Sequence, residues 1–389
     1  MKKIRLGILG IGNQGTMYSK RILSRECPDF DLVAICDRNP KRISWAKENL
    51  SADITYFEHA ETMMDSGMID ACIVAVPHYD HPKYAVACME RGIHVLVEKP
   101  AGVYTKQVRW MNEEAQKHNV VFGMMFNQRT NCVYRKMREL IQSGKYGNIR
   151  RTNWLITNWY RPQAYYDSGD WRATWSGEGG GVLMNQCPHQ LDLWQWICGM
   201  PAKIYTKMSF GKWHDIEVED DVTTMVEYPN GATGTFVTTT GDWPGSNRLE
   251  ITMDKAKIVV ENNQIHLWEL EMTEQEFTAT STIPFSQPKF TYRQVEAEGT
   301  ETGHCGILNA WAGAILRGEA LIAPGEEGIN GLTLSNAMHL SAWTGKEITL
   351  PIDEDQFYEL LMQRVATSRR KENVKTVISD LSGTYNSGK

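Results

Sequence analysis

Gly10-Ile11-Gly12-Asn13-Gln14-Gly15 is the first run of residues whose types and spacing could do chemistry. Gly10 permits a tight turn, Gly12 lets the backbone approach a pyrophosphate, and Gly15 lets a helix pack closely on the preceding strand. Asn13 and Gln14 open that helix, whose N-terminus would face the phosphates. Asp37 stands 22 residues after Gly15. An acidic side chain there accepts hydrogen bonds from ribose hydroxyls and repels a 2′-phosphate, which predicts NAD over NADP. The adjacent Arg38 works against that preference, since a guanidinium can pair with a 2′-phosphate or stack on adenine.

Two further runs carry reactive side chains. Glu98-Lys99-Pro100 closes a short apolar stretch, and the carboxyl end of a buried parallel strand faces the ligand crevice. From residue types alone Lys99 is either a site residue or a surface salt bridge. Gly179-Gly180-Gly181 begins the second run, which continues through Asn185, Pro188, His189 and Asp192. The three glycines allow close backbone approach, and Asn185 and His189 are expected on one helix face at i and i+4. A histidine on an apolar helix is either a neutral core residue or a catalyst. Seven of the 13 tryptophans fall between Trp154 and Trp213, interleaved with Tyr160, Arg161, Tyr165, Tyr166 and Arg172. Carbohydrate rings pack their C–H faces on aromatic rings while arginines and asparagines bond the hydroxyls. Trp171, Arg172 and Trp175, just ahead of the glycines, are the expected pocket members; the other rings fit a core or subunit interface equally well. His78, His81 and His94 lack metal-ligand spacing with any Cys or carboxylate cluster, so no metal is expected. His81 is expected to line the cofactor crevice. The acidic run Glu217–Asp221 reads as a solvated strand edge or loop. No GxSxG setting speaks for a serine hydrolase.

The elements that must position these residues follow from hydrophobic periodicity. Continuous apolar runs at 4–9, 32–36, 55–57, 71–76, 93–97 and 120–125 alternate with stretches of helical length such as 40–50, 82–91 and 105–118. Continuous rather than alternating strands predict a parallel sheet buried on both faces, hence a doubly wound nucleotide-binding domain over 1–126. After Gln128 the texture changes. A helix is expected over 134–143 and a strand over 149–157, and 204–292 is rich in β-branched alternation broken by turn signals. This predicts an α+β domain over 127–389 with a large, mostly antiparallel open-faced sheet, for substrate binding and oligomerisation. The stretches 303–317 and 328–344 read as helices packed back on that sheet. The tail from about Ser368 is polar and fits a loose end or a strand along a partner subunit.

Composition bounds the remaining choices. With 389 residues, 42% hydrophobic and 23% charged, the chain is an ordinary globular one of two or three domains. The net charge of −6 offers no electrostatic footprint for nucleic acid or an anionic membrane, and the apolar runs are far too short to span a bilayer. The eight cysteines form no CxxC pair, and several sit inside apolar runs, which predicts reduced thiols and a cytoplasmic protein. The start Met1-Lys2-Lys3 before an apolar stretch resembles a secretory signal. Arg5 and the glycine run, with no cleavage site between, favour a buried first strand instead.

Taken together, the glycine turn, Pro77 followed by His81, Glu98-Lys99-Pro100, Asn127-Gln128-Arg129 and the run from Gly179 to Gly199 resemble the Gfo/Idh/MocA family (glucose–fructose oxidoreductase and inositol dehydrogenase). Leu350-Pro351-Ile352-Asp353 extends the resemblance to essentially the whole chain. The family's commoner motif has Asp where this chain has Asn185. The Asn–His pair and Tyr165–Arg172 are similar to the branch of glycoside 3-dehydrogenases and levoglucosan dehydrogenases. The resemblance implies that Pro77, His78, His81, Glu98, Lys99 and Asn127 join the glycine turn, Asp37 and Arg38 around NAD. It implies further that Lys99, Arg129, Tyr160, Trp171, Arg172, Asn185 and His189 meet the substrate. Lys99, His189 and Asn185 would be the catalytic group, acting on a sugar, glycoside or cyclitol in a homo-oligomer (dimer, tetramer or hexamer). Two other readings keep the same parts: an NAD-dependent glycosidase acting by transient oxidation and elimination, and a non-catalytic NAD- and sugar-binding regulator.

Overall fold

The computed structural model describes residues 3–51, 53–369 and 371. Six strands, β1 (Ile4–Leu9), β2 (Phe30–Cys36), β3 (Thr55–Phe57), β4 (Ala71–Val74), β5 (His94–Val97) and β6 (Phe122–Met124), form a parallel sheet in the order β3-β2-β1-β4-β5-β6. Every residue of β4 and β6 is buried, as the uninterrupted apolar runs require of a sheet covered on both faces. The order reverses between β1 and β4, and a crevice opens there beyond the strand ends. Gly10 follows β1, Asp37 follows β2, Pro77 lies beyond β4, and Lys99 and Asn127 lie just past β5 and β6. Five separate segments thus deliver their chemistry to one rim.

The second sheet has nine strands. They are β7 (Ile149–Ile156), β8 (Lys203–Phe210), β9 (Glu219–Glu227), β10 (Thr233–Thr239), β11 (Asn247–Met253), β12 (Ala256–Glu261), β13 (Gln264–Leu270), β14 (Phe290–Val295) and β15 (Ile348–Thr349), in the order β14-β13-β12-β11-β7-β10-β9-β8-β15. Only β10 and β7 run parallel. In β9, Val222, Thr224 and Val226 point into the core while Met225 on the other face is 61% exposed. The helix Gly328–Thr344 covers the inner face, where Ser341 Oγ accepts from the Thr206 backbone N–H of β8 at 2.9 Å.

The helix Gly303–Arg317 does not pack on this sheet as expected. It returns to the first domain, where Trp311 lies 5.6 Å from Phe30 and donates from its ring nitrogen to Val121 O at 3.2 Å. Its buried face, Ile307, Leu308 and Trp311, covers apolar surface that the parallel sheet would otherwise expose. Most of the polar tail lies outside the described residues. Its start is held: the Arg369 N–H donates to Glu217 at 3.1 Å and Lys371 Nζ to Tyr166 O at 2.8 Å.

Candidate active site

The glycine turn is built as its spacing predicts. Gly10 has φ +95°, a left-handed conformation, and a Cβ on it would stand 2.4 Å from Ala75 O. A Cβ on Gly15 would stand 2.0 Å from Gly10 O, so helix and strand meet too closely for a side chain there. Gly12 has open space, with nothing nearer to a Cβ than Arg42 Nη1 at 3.7 Å. The helix Asn13–Leu23 starts there without a side-chain cap, so its first N–H groups face that space. Asp37 is tied to the turn, its carboxylate accepting from Ile11 N at 2.9 Å and Asn39 N at 2.8 Å. Arg38 is exposed. A second cation, Arg42, donates to Ile11 O at 3.2 Å and lies across the turn. Sequence reasoning missed Arg42 because it sits inside the following helix. Across the crevice Asn127 is 1% exposed, and neither amide atom has a hydrogen-bond partner. Unpaired buried amide atoms are costly, and a dinucleotide with a carboxamide head would satisfy them. The open turn, uncapped helix and unpaired amide all fit NAD.

Lys99 bridges the two halves of the molecule. Its Nζ donates to Asn185 O at 3.0 Å. Burial pushes its pKa down, while the carboxylates of Glu98 and Glu178 oppose the shift. Glu98 is 6% exposed, takes a short hydrogen bond from the Tyr18 hydroxyl, and accepts from Lys99 N at 3.0 Å. His189 is 7% exposed and packs edge-on to Phe126. Burial drives its pKa well below the ordinary value, and the charges of Lys99 and His304 add to the shift. The imidazole is therefore neutral, the state a proton acceptor needs.

The glycine run departs from expectation. The helix begins at Pro188 and runs to Cys198, so Asn185 lies in the turn before it and does not share a helix face with His189. Two causes are visible. Gly179 at φ +80° and Gly180 at φ +159° are not helical, and Pro188 takes the first helical position, where its missing N–H costs nothing. The turn is instead held by Glu219, whose carboxylate accepts from Gly181 N at 2.8 Å and Leu183 N at 3.0 Å. The expectation of a solvated acidic run fails with it: Glu219 and Asp220 are both 0% exposed. Asp220 accepts the backbone N–H groups of Lys212, Trp213 and His214. The signal was present for Asp220, which shares the inward alternation of Val222, Thr224 and Val226, but not for Glu219.

The structure gathers Lys99, Asn185, His78, Trp171 and Arg172. His78 Nδ1 lies 3.1 Å from Glu178 O and its ring 6.1 Å from Trp171. Arg172 donates to the Tyr165 hydroxyl at 2.9 Å, and its guanidinium stacks 4.7 Å from Trp171. Three expected residues stand elsewhere. Arg129, 1% exposed, directs one guanidinium edge to Asp192 at 2.6 and 2.8 Å and another nitrogen to Glu327, so it joins elements and is not offered to substrate. Trp175 is core, packed between His339 and Trp343. Tyr160 is 44% exposed, facing Trp243 at 6.1 Å on the rim. His81 sits between Pro100 O at 2.7 Å and Val76 O at 2.8 Å, a brace between the ends of β4 and β5. Tyr165, singled out in the aromatic segment, reaches Asn185, whereas Glu178 and Gln186, which complete its surroundings, were not foreseen.

A doubly wound domain with a dinucleotide turn, joined through a lysine to a second domain carrying a buried neutral histidine, defines a nicotinamide-dependent oxidoreductase. Family models agree. Residues 4–126 match the oxidoreductase family with an NAD-binding Rossmann fold, and residues 134–259 match the GFO/IDH/MocA C-terminal domain. The chain belongs to the Gfo/Idh/MocA family. It is 24% identical to myo-inositol 2-dehydrogenase of Thermotoga maritima over 67% of this chain and 75% of that one. It is 26% identical to D-glucoside 3-dehydrogenase of Escherichia coli over 59% of this chain and 68% of that one. Among solved structures, the WlbA dehydrogenase of Bordetella pertussis, in complex with NADH and UDP-GlcNAcA, superposes with a TM-score of 0.75. It is 27% identical and covers 90% of this chain and 100% of that one. Among the described residues no helix is long and apolar enough to cross a membrane.

Proposed function

We propose that this protein is an NAD-dependent dehydrogenase that oxidises a secondary hydroxyl of a sugar, glycoside or cyclitol, with carbon 3 of an O- or C-glycoside as the favoured position. One observation carries the reading. Lys99 projects from the cofactor sheet onto the turn of Asn185, close enough for its charge to act on the buried, neutral His189. Bound NAD supplies the hydride acceptor. His189 takes the hydroxyl proton, while Lys99 donates to the same oxygen and stabilises its developing negative charge. The Trp171 face beside Arg172 offers an apolar surface and a donor for a sugar ring. The named activities of the glucoside and inositol relatives support the sugar and cyclitol class, and that of the glucoside relative supports the carbon-3 preference.

The outer face of the second sheet, with Leu155, Tyr205 and Met225 exposed, supports a homo-oligomer. Eight free cysteines support a reducing, cytoplasmic setting. The test is NADH formation against a panel of free sugars, cyclitols, O- and C-glycosides and a UDP-sugar acid, with product regiochemistry by NMR. A 3-keto glycoside is the expected product. Aglycone release without accumulated NADH would establish the glycosidase reading, and binding of NAD and sugar without turnover would establish the regulator.

A further inference from the structure

Residue 185 is Asn, so the Asn185–His189 pair has no carboxylate of its own. The structure supplies one from another position. Glu178 is 2% exposed, and its Oε2 accepts from Ala173 N at 2.7 Å. Its Oε1 takes a short hydrogen bond from the Asn185 amide nitrogen. With that nitrogen committed, Asn185 Oδ1 turns to the Tyr165 hydroxyl at 3.2 Å and Gln186 Nε2 at 3.3 Å. The same residue's backbone oxygen receives Lys99. A buried carboxylate is strongly unfavourable unless it is paired or hydrogen-bonded. Burial pushes the pKa of the Glu178 carboxyl up, while the Arg172 charge and the hydrogen bonds from Ala173 and Asn185 oppose that shift, and Lys99 feels the charge of Glu178.

We propose that Glu178 is the positioning residue of this site: its carboxylate fixes the Asn185 amide and supplies the negative charge that keeps Lys99 an ammonium, the task a carboxylate at 185 would otherwise perform. This rests on the dehydrogenase reading above for its kinetic consequences only. Among the described residues, the charged and titratable groups that interact with Lys99 include Glu98, Glu178, Arg172, Cys187, His78, His81, His189 and His304. Of these, only Glu98 and Glu178 are carboxylates. Removing the charge of Glu178 leaves Glu98 as the sole carboxylate partner, so Lys99 should lose its proton at lower pH.

The experiment compares wild type, Glu178→Gln, Asn185→Asp and the double variant by two readouts. The first is the kcat–pH profile with the best substrate of the panel. The second is the pH dependence of Lys99 acetylation by acetic anhydride in the NAD-free protein, followed by mass spectrometry, which needs no turnover. Glu178→Gln should lower kcat about tenfold or more and move the alkaline limb and the acetylation midpoint down by about one pH unit. Asn185→Asp alone should also lower kcat, because two abutting carboxylates must share a proton. The double variant moves the single charge to position 185 and should recover most of both losses. An unmoved midpoint in Glu178→Gln, or a double variant no better than Glu178→Gln, overturns the proposal. Should Glu178→Gln fail to fold, an Asn185→Asp protein as active as wild type would overturn it too. If wild type oxidises nothing in the panel, the dehydrogenase reading fails while the acetylation midpoints still decide the role of Glu178.

Discussion

The two halves of the site are built by different means. The cofactor half rests on backbone: a glycine turn, an uncapped helix start and strand ends brought to one rim by a parallel sheet. The sugar half rests on buried carboxylates. Glu219 accepts the N–H groups of the glycine run, and Glu178 holds the Asn185 amide. A backbone-built site needs only local residue types in the right order. A carboxylate-built site needs charges from distant segments to meet, and nothing in local spacing announces the meeting.

Lys99 is the side chain that joins the halves, so its loss should have the largest effect. Lys99→Ala is expected to lower kcat by about two to three orders of magnitude, since under the proposed mechanism it removes a donor to the reacting oxygen. NAD affinity should change far less, because it depends on the glycine turn. Steady-state kinetics with NAD titration by fluorescence checks both; turnover near wild type would make Lys99 a structural contact.

Breaking the sugar half alone comes next. Glu219→Ala leaves the Gly181 and Leu183 N–H groups without their acceptor in a buried turn. Each costs about 1–3 kcal/mol. The melting temperature should fall and sugar KM should rise, with NAD affinity within a few-fold of wild type. An equal loss of NAD and sugar binding would mean the halves are not separable.

The cofactor half is sharpened by cofactor choice. NAD should exceed NADP in kcat/KM by roughly tenfold, about 1.4 kcal/mol, because Asp37 sets a negative charge where the 2′-phosphate would lie. Asp37→Ala should shrink that ratio. Parity in wild type would give the pocket to Arg38 and Arg42.

The smallest effect is in pH. His189 must be neutral to accept a proton, and burial together with the Lys99 charge holds its pKa well below 6.5. The imidazole therefore stays neutral as pH falls through 6.5. Protonation begins only at lower pH, so oxidation kcat/KM should change less than about twofold between pH 7.5 and 6.5. An acidic limb centred above 6.5 would assign the proton to another group.

How far the sequence could be read follows the same division. Strand β3 at 55–57 and the helices at 303–317 and 328–344 appear at the expected residues, because apolar periodicity and terminal glycines mark them locally. The glycine turn was legible to the single residue. The placement of Asn185 and His189 on one helix face was misread. The helical spacing that placed them on one face ignored the non-helical glycines and Pro188. Arg129 shows the opposite failure: an arginine at the domain junction has the right chemistry for substrate, yet Asp192, far along the chain, takes its guanidinium.

The sequence by itself determined the class of chemistry. A glycine spacing that suits a dinucleotide turn between a strand and a helix, an acidic residue at the end of the second strand and a lysine at the end of the fifth can each be read from local sequence. Only the tertiary structure decided which charges share the site. Coulomb interaction and desolvation depend on distance and burial. The contacts around Lys99 and Asn185 join the end of β5 to a turn more than eighty residues later, and a carboxylate on β9 holds the backbone of that turn. Residue types foretold a histidine and a lysine; packing holds the imidazole neutral and sets buried carboxylates where the lysine feels them.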